Sequence, residues 1–433
     1  MLFIMKKRPV YLLIFFILLL PSLSAKAQSD FHQHFINRTL RLDYTQSGNA
    51  NTSVYNFEQL KQEPQWAGSV TQLIDPLNYG QYRVMVYDSA SQQLVYSRGY
   101  SSLFREWQDT PEAGRLNRSF YETVLMPFPK KTIRVVLEKR LKNQSFKKGF
   151  ELYVNPKNYF INKEKPRNFS VEKLQHFGNP HKKVDVVILP EGYTKKEMDK
   201  FRKDCKRFVQ FFNQTPPFSK RKKDFNFWLV MAPSEETGTD SPGENIWKKT
   251  LLNTSFYTFD SKRYLTSQDV KAIRNLAACA PYDQIYILVN TDRYGGGGIY
   301  NYYNLCTSDH PLSLKVFTHE FGHAFGSLAD EYAYGHSDPA RLYDLSKEPY
   351  EPNITTLIDF NSKWADLVKK NTPVPTPDSQ EYRNKVGAFE GAGYVSKKVY
   401  RPVWDCKMRS NDTNSFCPVC TRSLNRMIDL YTK

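Results

Sequence analysis

Residues 318–332 read Thr-His-Glu-Phe-Gly-His-Ala-Phe-Gly-Ser-Leu-Ala-Asp-Glu-Tyr. Ser308, Asp309, His310 and Pro311 just upstream supply a cap and a first turn, so a helix is expected over residues 312 to about 325. Leu314, Phe317, Phe321, Ala324 and Leu328 recur at helical spacing and form its buried stripe. His319 and His323 are four residues apart, about 40° around the axis and about 6 Å along it, so their imidazoles point the same way. Two neutral imidazoles on one helix face suit a single zinc ion, which a catalytic site holds with three protein ligands and one position left for water. Glu320 follows the first histidine and stands beside such an ion, placed to move protons as a general base. The competing reading is an ordinary helix with two surface histidines. The position of the pentapeptide on a helix, after a buried strand and before a glycine, favours the metal.

A third ligand has to come from beyond the helix. Gly326 is placed to end it and turn the chain back beneath the metal, which brings Asp330, Glu331 and His336 within range. In metzincins the third ligand stands three residues after such a glycine, and here that position is Ala329, which cannot bind zinc. Asp330 is the first candidate, with Glu331 as its supporter or as a partner behind a histidine. His336 is the next, and a plain helix-ending Asp-Glu pair is the alternative to both.

The strands that would carry this helix lie upstream. Residues 184–189, 225–231 and 284–290 are nearly continuous apolar runs, and the first is followed by a helix-like stretch over 195–212. That is the pattern of an α/β sheet buried on both faces. Glycines 295–298 follow a strand, but no Lys-Ser/Thr comes after them, which argues against a nucleotide site. The front of the chain differs. Residues 39–44, 82–87, 94–96, 120–125, 132–137 and 150–154 are short alternating runs rich in aromatic and β-branched residues, which read as an antiparallel β-sandwich. No titratable groups cluster there. The fold class is therefore α+β overall: a sandwich over 28–160, a turn-rich linker over 161–180 and an α/β domain over 181–433.

Lys6, Lys7 and Arg8 precede an unbroken apolar run over 11–20, and Ala25-Lys26-Ala27 has the A-x-A form of a cleavage site. Residues 1–27 read as an export signal, with the mature chain beginning near Gln28. The run is short of the about 20 residues that span a bilayer, and no comparable run follows, so no membrane span is expected in the mature chain. The expected location is across the inner membrane, periplasmic or secreted. The formal charge is +17, and loss of Lys6, Lys7, Arg8 and Lys26 leaves +13. Basic residues are spread through both halves, which argues for a solvated surface and against a nucleic-acid partner. His32 and His34, beside the cleavage point, read as tail residues. Cys205, Cys279, Cys306, Cys406, Cys417 and Cys420 all fall in the second half. An oxidising compartment favours disulfides, and for Cys417-Pro-Val-Cys420, with Cys406 nearby, these are preferred over a redox pair or half of a metal knuckle.

The run HEFGHAFGSLADEY resembles the active-site helix of bacterial IgA-peptidase-type zinc metallopeptidases, in which His-Glu-x-x-His is followed by Asp-Glu-Tyr. VDVVILPEGYT at 184–194, SEETGTDSP at 234–242, LVNTDRYGGGGIYN at 288–301, and CKMRSN and FCPVC near the C-terminus are similar to the same family. The front half is similar to its N-terminal β-rich domain, so the resemblance spans nearly the whole mature chain. It implies a zincin-like catalytic domain with His319, His323 and Asp330 on Zn2+, Glu320 as catalytic base, and Met408 as the counterpart of a Met-turn under the metal. It also suggests residues 284–290 as an edge strand to which a peptide substrate adds. The activity implied is hydrolysis of peptide bonds in a protein or peptide, with immunoglobulin A or other host glycoproteins as candidate substrates. The alternative is a non-catalytic exported adhesion protein whose zinc is structural. Glu320, which a structural site does not need, favours the enzyme.

Overall fold

A computed structural model describes residues 30–334 and 338–433, so the expected export signal and His336 lie outside the described residues. A short helix α1 (Phe31–His34) opens the chain, pinned by buried Phe31, and His32 and His34 thus sit on a packed turn rather than a loose tail. Seven strands follow: β1 (Phe35–Gly48), β2 (Ser53–Glu63), β3 (Tyr82–Asp88), β4 (Leu94–Tyr100), β5 (Arg118–Pro129), β6 (Ile133–Arg140) and β7 (Phe146–Val154). They form two antiparallel sheets, ordered β2-β1-β5 and β4-β3-β6-β7. Leu40, Leu42 and Tyr44 of β1 meet Val84 and Val86 of β3 and Val135 and Leu137 of β6 in one buried cluster, the packing of a sandwich. The sequence reading missed β2 because its second half, Glu58-Gln-Leu-Lys-Gln-Glu63, is mostly polar and carries little alternation to mark it.

The second half is built on a six-stranded sheet of β8 (Val171–Gln175), β9 (Val184–Glu191), β10 (Phe225–Val230), β13 (Gln284–Val289), β14 (Gly296–Ile299) and β15 (Tyr303–Thr307). A small hairpin, β11 (Thr254–Ser255) with β12 (Thr266–Ser267), stands apart from it. The order is β14-β15-β13-β9-β10-β8. The four inner strands run parallel, and both edge strands run antiparallel to their neighbours. Two expectations are corrected. Residues 171–175, inside the stretch read as a linker, form edge strand β8. Residues 284–289 form a central strand between β9 and β15, and the edge beyond them is β14, built from the glycine run. Apolar periodicity cannot tell a central strand from an edge, and a run of glycines carries no side-chain pattern at all.

Both faces of the sheet are covered, which is why the central strands β9, β10 and β13 are buried along their whole length and largely apolar. Val186, Ile188, Phe227 and Leu288 pack beneath α3 (Met198–Phe212), Phe218 of α4 (Phe218–Arg221), α6 (Ser313–Gly326) and α8 (Pro418–Thr432). On the other face, Val187, Leu189, Trp228, Ile285 and Ile287 pack beneath α5 (Val270–Ala277). There they also meet Leu103, Phe104 and Trp107 of α2 (Leu103–Gln108), a helix inserted in the front half. Leu103 and Phe104 are fully buried, each stabilising by about 1.5–3 kcal/mol. The sandwich half therefore shares a core with the α/β half. The remaining elements, α7 (Pro339–Leu342) and the hairpin β16 (Phe389–Ala392) with β17 (Val395–Arg401), lie between the sheet and α8 in sequence.

A buried polar cluster stitches the two halves. Fully buried Arg41 on β1 donates to both carboxylate oxygens of Asp43, at 2.7 and 2.9 Å, to Glu63 at 3.0 Å, and across the seam to Asn275 Oδ1 on α5 at 3.0 Å. Tyr282 donates to Glu63 at 3.0 Å from the other side. Removing the guanidinium leaves two buried carboxylates uncompensated, so Arg41→Ala should cost about 3–5 kcal/mol. Chemical denaturation checks this, and an unchanged midpoint would refute the seam.

Candidate active site

Helix α6 carries His319, Glu320 and His323. Phe317, Phe321, Ala324 and Leu328 are buried as the pattern predicts, and Leu314 partly so. The helix sits at backbone contact on two sides. A Cβ on Gly298 of β14 would lie 2.3 Å from the carbonyl oxygen of Glu320, and one on Gly296 would lie 2.9 Å from its Oε1. On the opposite side a Cβ on Gly322 would lie 2.6 Å from Sδ of Met408. The glycine run is thus the surface against which the helix packs, and fully buried Met408 presses on the turn between the two histidines. The helix ends differently from the expectation. Ser327, not Gly326, takes the left-handed conformation (φ 53°), its N–H donating to the carbonyls of Gly322 and His323. Gly326 is there for room, since a Cβ would meet Leu424 Cδ2 at 2.8 Å.

Both imidazoles are held from behind. Nδ1 of His319 lies 2.8 Å from the carbonyl of Lys407, and Nδ1 of His323 lies 2.6 Å from that of Leu328. A carbonyl only accepts, so each Nδ1 carries the hydrogen, and in the neutral ring each Nε2 is left as a lone pair. The two Nε2 atoms are 3.1 Å apart. Asp330 Oδ1 completes the group at 3.2 Å from one and 3.3 Å from the other, with side-chain exposures of 15%, 16% and 5% for His319, His323 and Asp330. Three acceptors thus converge with no donor among them, and a proton or a cation must lie between them. Burial opposes a charge on His323, yet Asp330 lifts that imidazole to about 9. Burial likewise opposes ionised Asp330, and the two histidines hold it well below the carboxylate range.

Asp330 is fixed by three segments. Tyr394 donates to its Oδ2 at 2.5 Å, Gly393 N–H donates to its carbonyl at 2.9 Å, and the neighbouring Glu331 N–H donates to the Met408 carbonyl at 2.7 Å. Asn353, fully buried, clamps Ala329 through N–H and C=O at 2.7 and 2.9 Å. Glu331 does not support Asp330 or either histidine. Its side chain turns the other way, to Asn353 and Cys420. None of the six cysteines is bonded to another, so the expected disulfides are not shown. Cys406 and Cys420 approach to 3.9 Å between sulfurs, with Glu331 against Cys420, which is close but unbonded.

The group opens on a cleft of about 880 Å³ between the two halves, bordered by glycines 296–298, Tyr264 and Arg263 on one side and by Arg105 and Glu106 of the sandwich half on the other. Burial raises Glu320, against the pull of His319 and His323. Burial also raises Glu106 to about 7, although Tyr264 donates to it. The front half therefore does place titratable groups together, at the cleft and at the Arg41 seam. Sequence reading missed Glu106, Asn353 and Tyr394, none of which carries a local pattern, and the turn Gly391-Ala392-Gly393 was the only hint of the last. Because Glu106 holds its proton longer in the fold than in the unfolded chain, its contribution is full below about 4.5 and is lost as pH rises through about 7. In thermal melts Glu106→Gln should gain on the wild type across that window. A difference that does not vary with pH would refute it.

The family model described as IgA Peptidase M64 matches residues 172–385 and 378–428, and the one described as Peptidase M64 N-terminus matches residues 30–151. No curated protein matches the chain. The first match takes in α6, Asp330, Met408 and the cysteines, and the second takes in Glu106 and the sandwich. More than half of the sequence lies within the first match alone, and the chain therefore belongs to the IgA peptidase M64 family, a family of peptidases.

Proposed function

We propose that the chain is an exported zinc metalloendopeptidase in which His319, His323 and Asp330 hold the metal and Glu320 is the catalytic base. The observation that carries this reading is the convergence of three bare acceptor atoms, spaced 3.1, 3.2 and 3.3 Å, at the floor of an open cleft. Zinc bonds of roughly 2.0–2.1 Å in a tetrahedral arrangement separate neighbouring nitrogen or oxygen ligands by about 3.3 Å, so the donor set and its spacing fit. Zinc, when bound, supplies the Lewis acidity that makes a water nucleophilic near neutral pH and polarises a carbonyl. The chain's own groups do the rest. Glu320, whose carboxylate is made more basic by burial, takes the proton of the attacking water and passes it to the leaving amine. Tyr394 keeps Asp330 turned so that Oδ1 faces the imidazoles. Strand β14 borders the cleft beside Glu320, and a peptide laid along it would bring its scissile bond within reach of a water held by that carboxylate.

Export rests on the basic, apolar and A-x-A segments of residues 1–27. The substrate class is protein or peptide. The family's name points to immunoglobulin A, and no residue of the cleft singles out an antibody hinge. The test is cleavage of casein, immunoglobulins and a broad peptide library, with zinc content measured alongside. Glu320→Gln should keep its zinc and lose about 10²–10⁴-fold in cleavage rate. His323→Ala should lose one zinc equivalent and cleavage together. A wild-type protein that cleaves nothing across the library would overturn the reading in favour of an exported binding protein.

A further inference from the structure

Immediately beside Asp330 lies a second convergence of donor atoms that hydrolysis leaves unused. Glu331, Cys406, Cys417 and Cys420 bring one carboxylate oxygen and three sulfurs within 4.8 Å of one another. All four side chains are buried, with exposures of 0, 1, 7 and 0%. We propose that they form a second, structural zinc site behind the active site, a Cys3Glu centre closed to solvent.

The spacing suits it. Zinc–sulfur bonds of about 2.3 Å at tetrahedral angles set two sulfurs about 3.8 Å apart, and Cys406 and Cys420 stand 3.9 Å apart. A disulfide would need about 2.05 Å. Two of the sulfurs already accept from the backbone: Cys417 N–H donates to Cys406 Sγ at 3.2 Å, and Cys420 N–H donates to Cys417 Sγ at 3.4 Å. Cys417 is also the N-cap of the 15-residue helix α8, whose positive end favours a thiolate. Glu331 gives the independent sign. Its Oε1 accepts from Asn353 at 3.0 Å and faces Cys420 at 3.0 Å, while Oε2 is buried with no hydrogen-bond partner. Such an oxygen is costly to bury, and a cation at its side removes the cost. Three soft sulfurs with one oxygen select zinc over magnesium or calcium, and four protein ligands with no approach for water make a structural rather than a catalytic centre. Arg401 and Lys407, both buried, act electrostatically on Glu331 and Cys406 and offset the excess negative charge. Binding releases the thiol protons to solvent.

Such a centre would tie together the segment carrying Asp330, the turn that supplies Met408 and the Lys407 carbonyl behind His319, and the start of α8. The test is zinc per chain, by elemental analysis, on the full mature protein as purified. Two equivalents are expected in the wild type, one in His323→Ala and one in Cys420→Ser. Since Cys420→Ser can fail to fold, the decisive measurement uses His323→Ala reloaded with cobalt(II). A thiolate-to-cobalt charge-transfer band and tetrahedral ligand-field bands are expected there, whatever becomes of the hydrolytic reading. A His323→Ala protein with no zinc and no thiolate band overturns the proposal. So does an intact mass, under denaturing and non-reducing conditions, two hydrogens below that of six free thiols.

Discussion

Helix α6 has no slack on either side, and the geometry of the histidine pair follows from that constraint. Against β14 the fit is so close that Gly298 meets the Glu320 carbonyl, and against the C-terminal segment Gly322 meets Met408. Close-packed interiors pass displacement on instead of absorbing it. The helix cannot slide toward the sheet or away from it without opening a void or a clash. The imidazoles are then locked in rotation as well as in position, because Lys407 and Leu328 offer backbone carbonyls, which do not change protonation or swing aside. Two ring nitrogens about 3 Å apart are therefore a product of backbone packing more than of side-chain choice.

The same economy of space explains Asp330 and Glu331. In an extended segment successive side chains face opposite ways, so one faces the imidazoles and the next faces the three cysteines. Asn353 serves both sides, clamping Ala329 by its backbone and donating to Glu331. Two adjacent acids that read as interchangeable ligand candidates in the sequence thus have separate surroundings. Moving the register of this segment by one residue would put the wrong acid in one group and take the acid from the other.

What was legible in the sequence was local. The α6 helix, its apolar stripe, the histidine pair and three of the four inner strands, β9, β10 and β13, all announce themselves by periodicity within a dozen residues. Asp330 was reachable as the first acid after the helix-ending glycine, although the turn itself is made by Ser327. The groups that fix the site were not legible, because they come from far along the chain: Tyr394 lies 64 residues beyond Asp330, and Asn353 lies 24 beyond Ala329. Nor does a conspicuous motif declare its task. In VDVVILPEGYT the buried Glu191 carboxylate gathers Thr250, Leu252 and Thr254, fastening a loop, and Gly192 (φ +67°) passes so close to Gly238 that a Cβ would lie 1.9 Å from its carbonyl. These are fastenings of the scaffold. The cysteines are legible only in part: a compartment argument says which bonds are permitted, and the placement of Glu331 among Cys406, Cys417 and Cys420 is a matter of the fold.

The sandwich half cannot be treated as a detachable module. A sheet with parallel inner strands needs cover on both faces, and here α5 covers only part of one of them. Leu103, Phe104 and Trp107 complete that cover from within the front half. Cutting the chain between the halves would bare apolar strands, take Tyr282 from Glu63 and take Asn275 from Arg41 at the seam. The same insertion that seals the core also sends Glu106 to the cleft, where it faces the histidines across the opening and meets Tyr264. One short helix therefore does two jobs within six residues, sealing the core through Leu103, Phe104 and Trp107 and walling the cleft through Glu106.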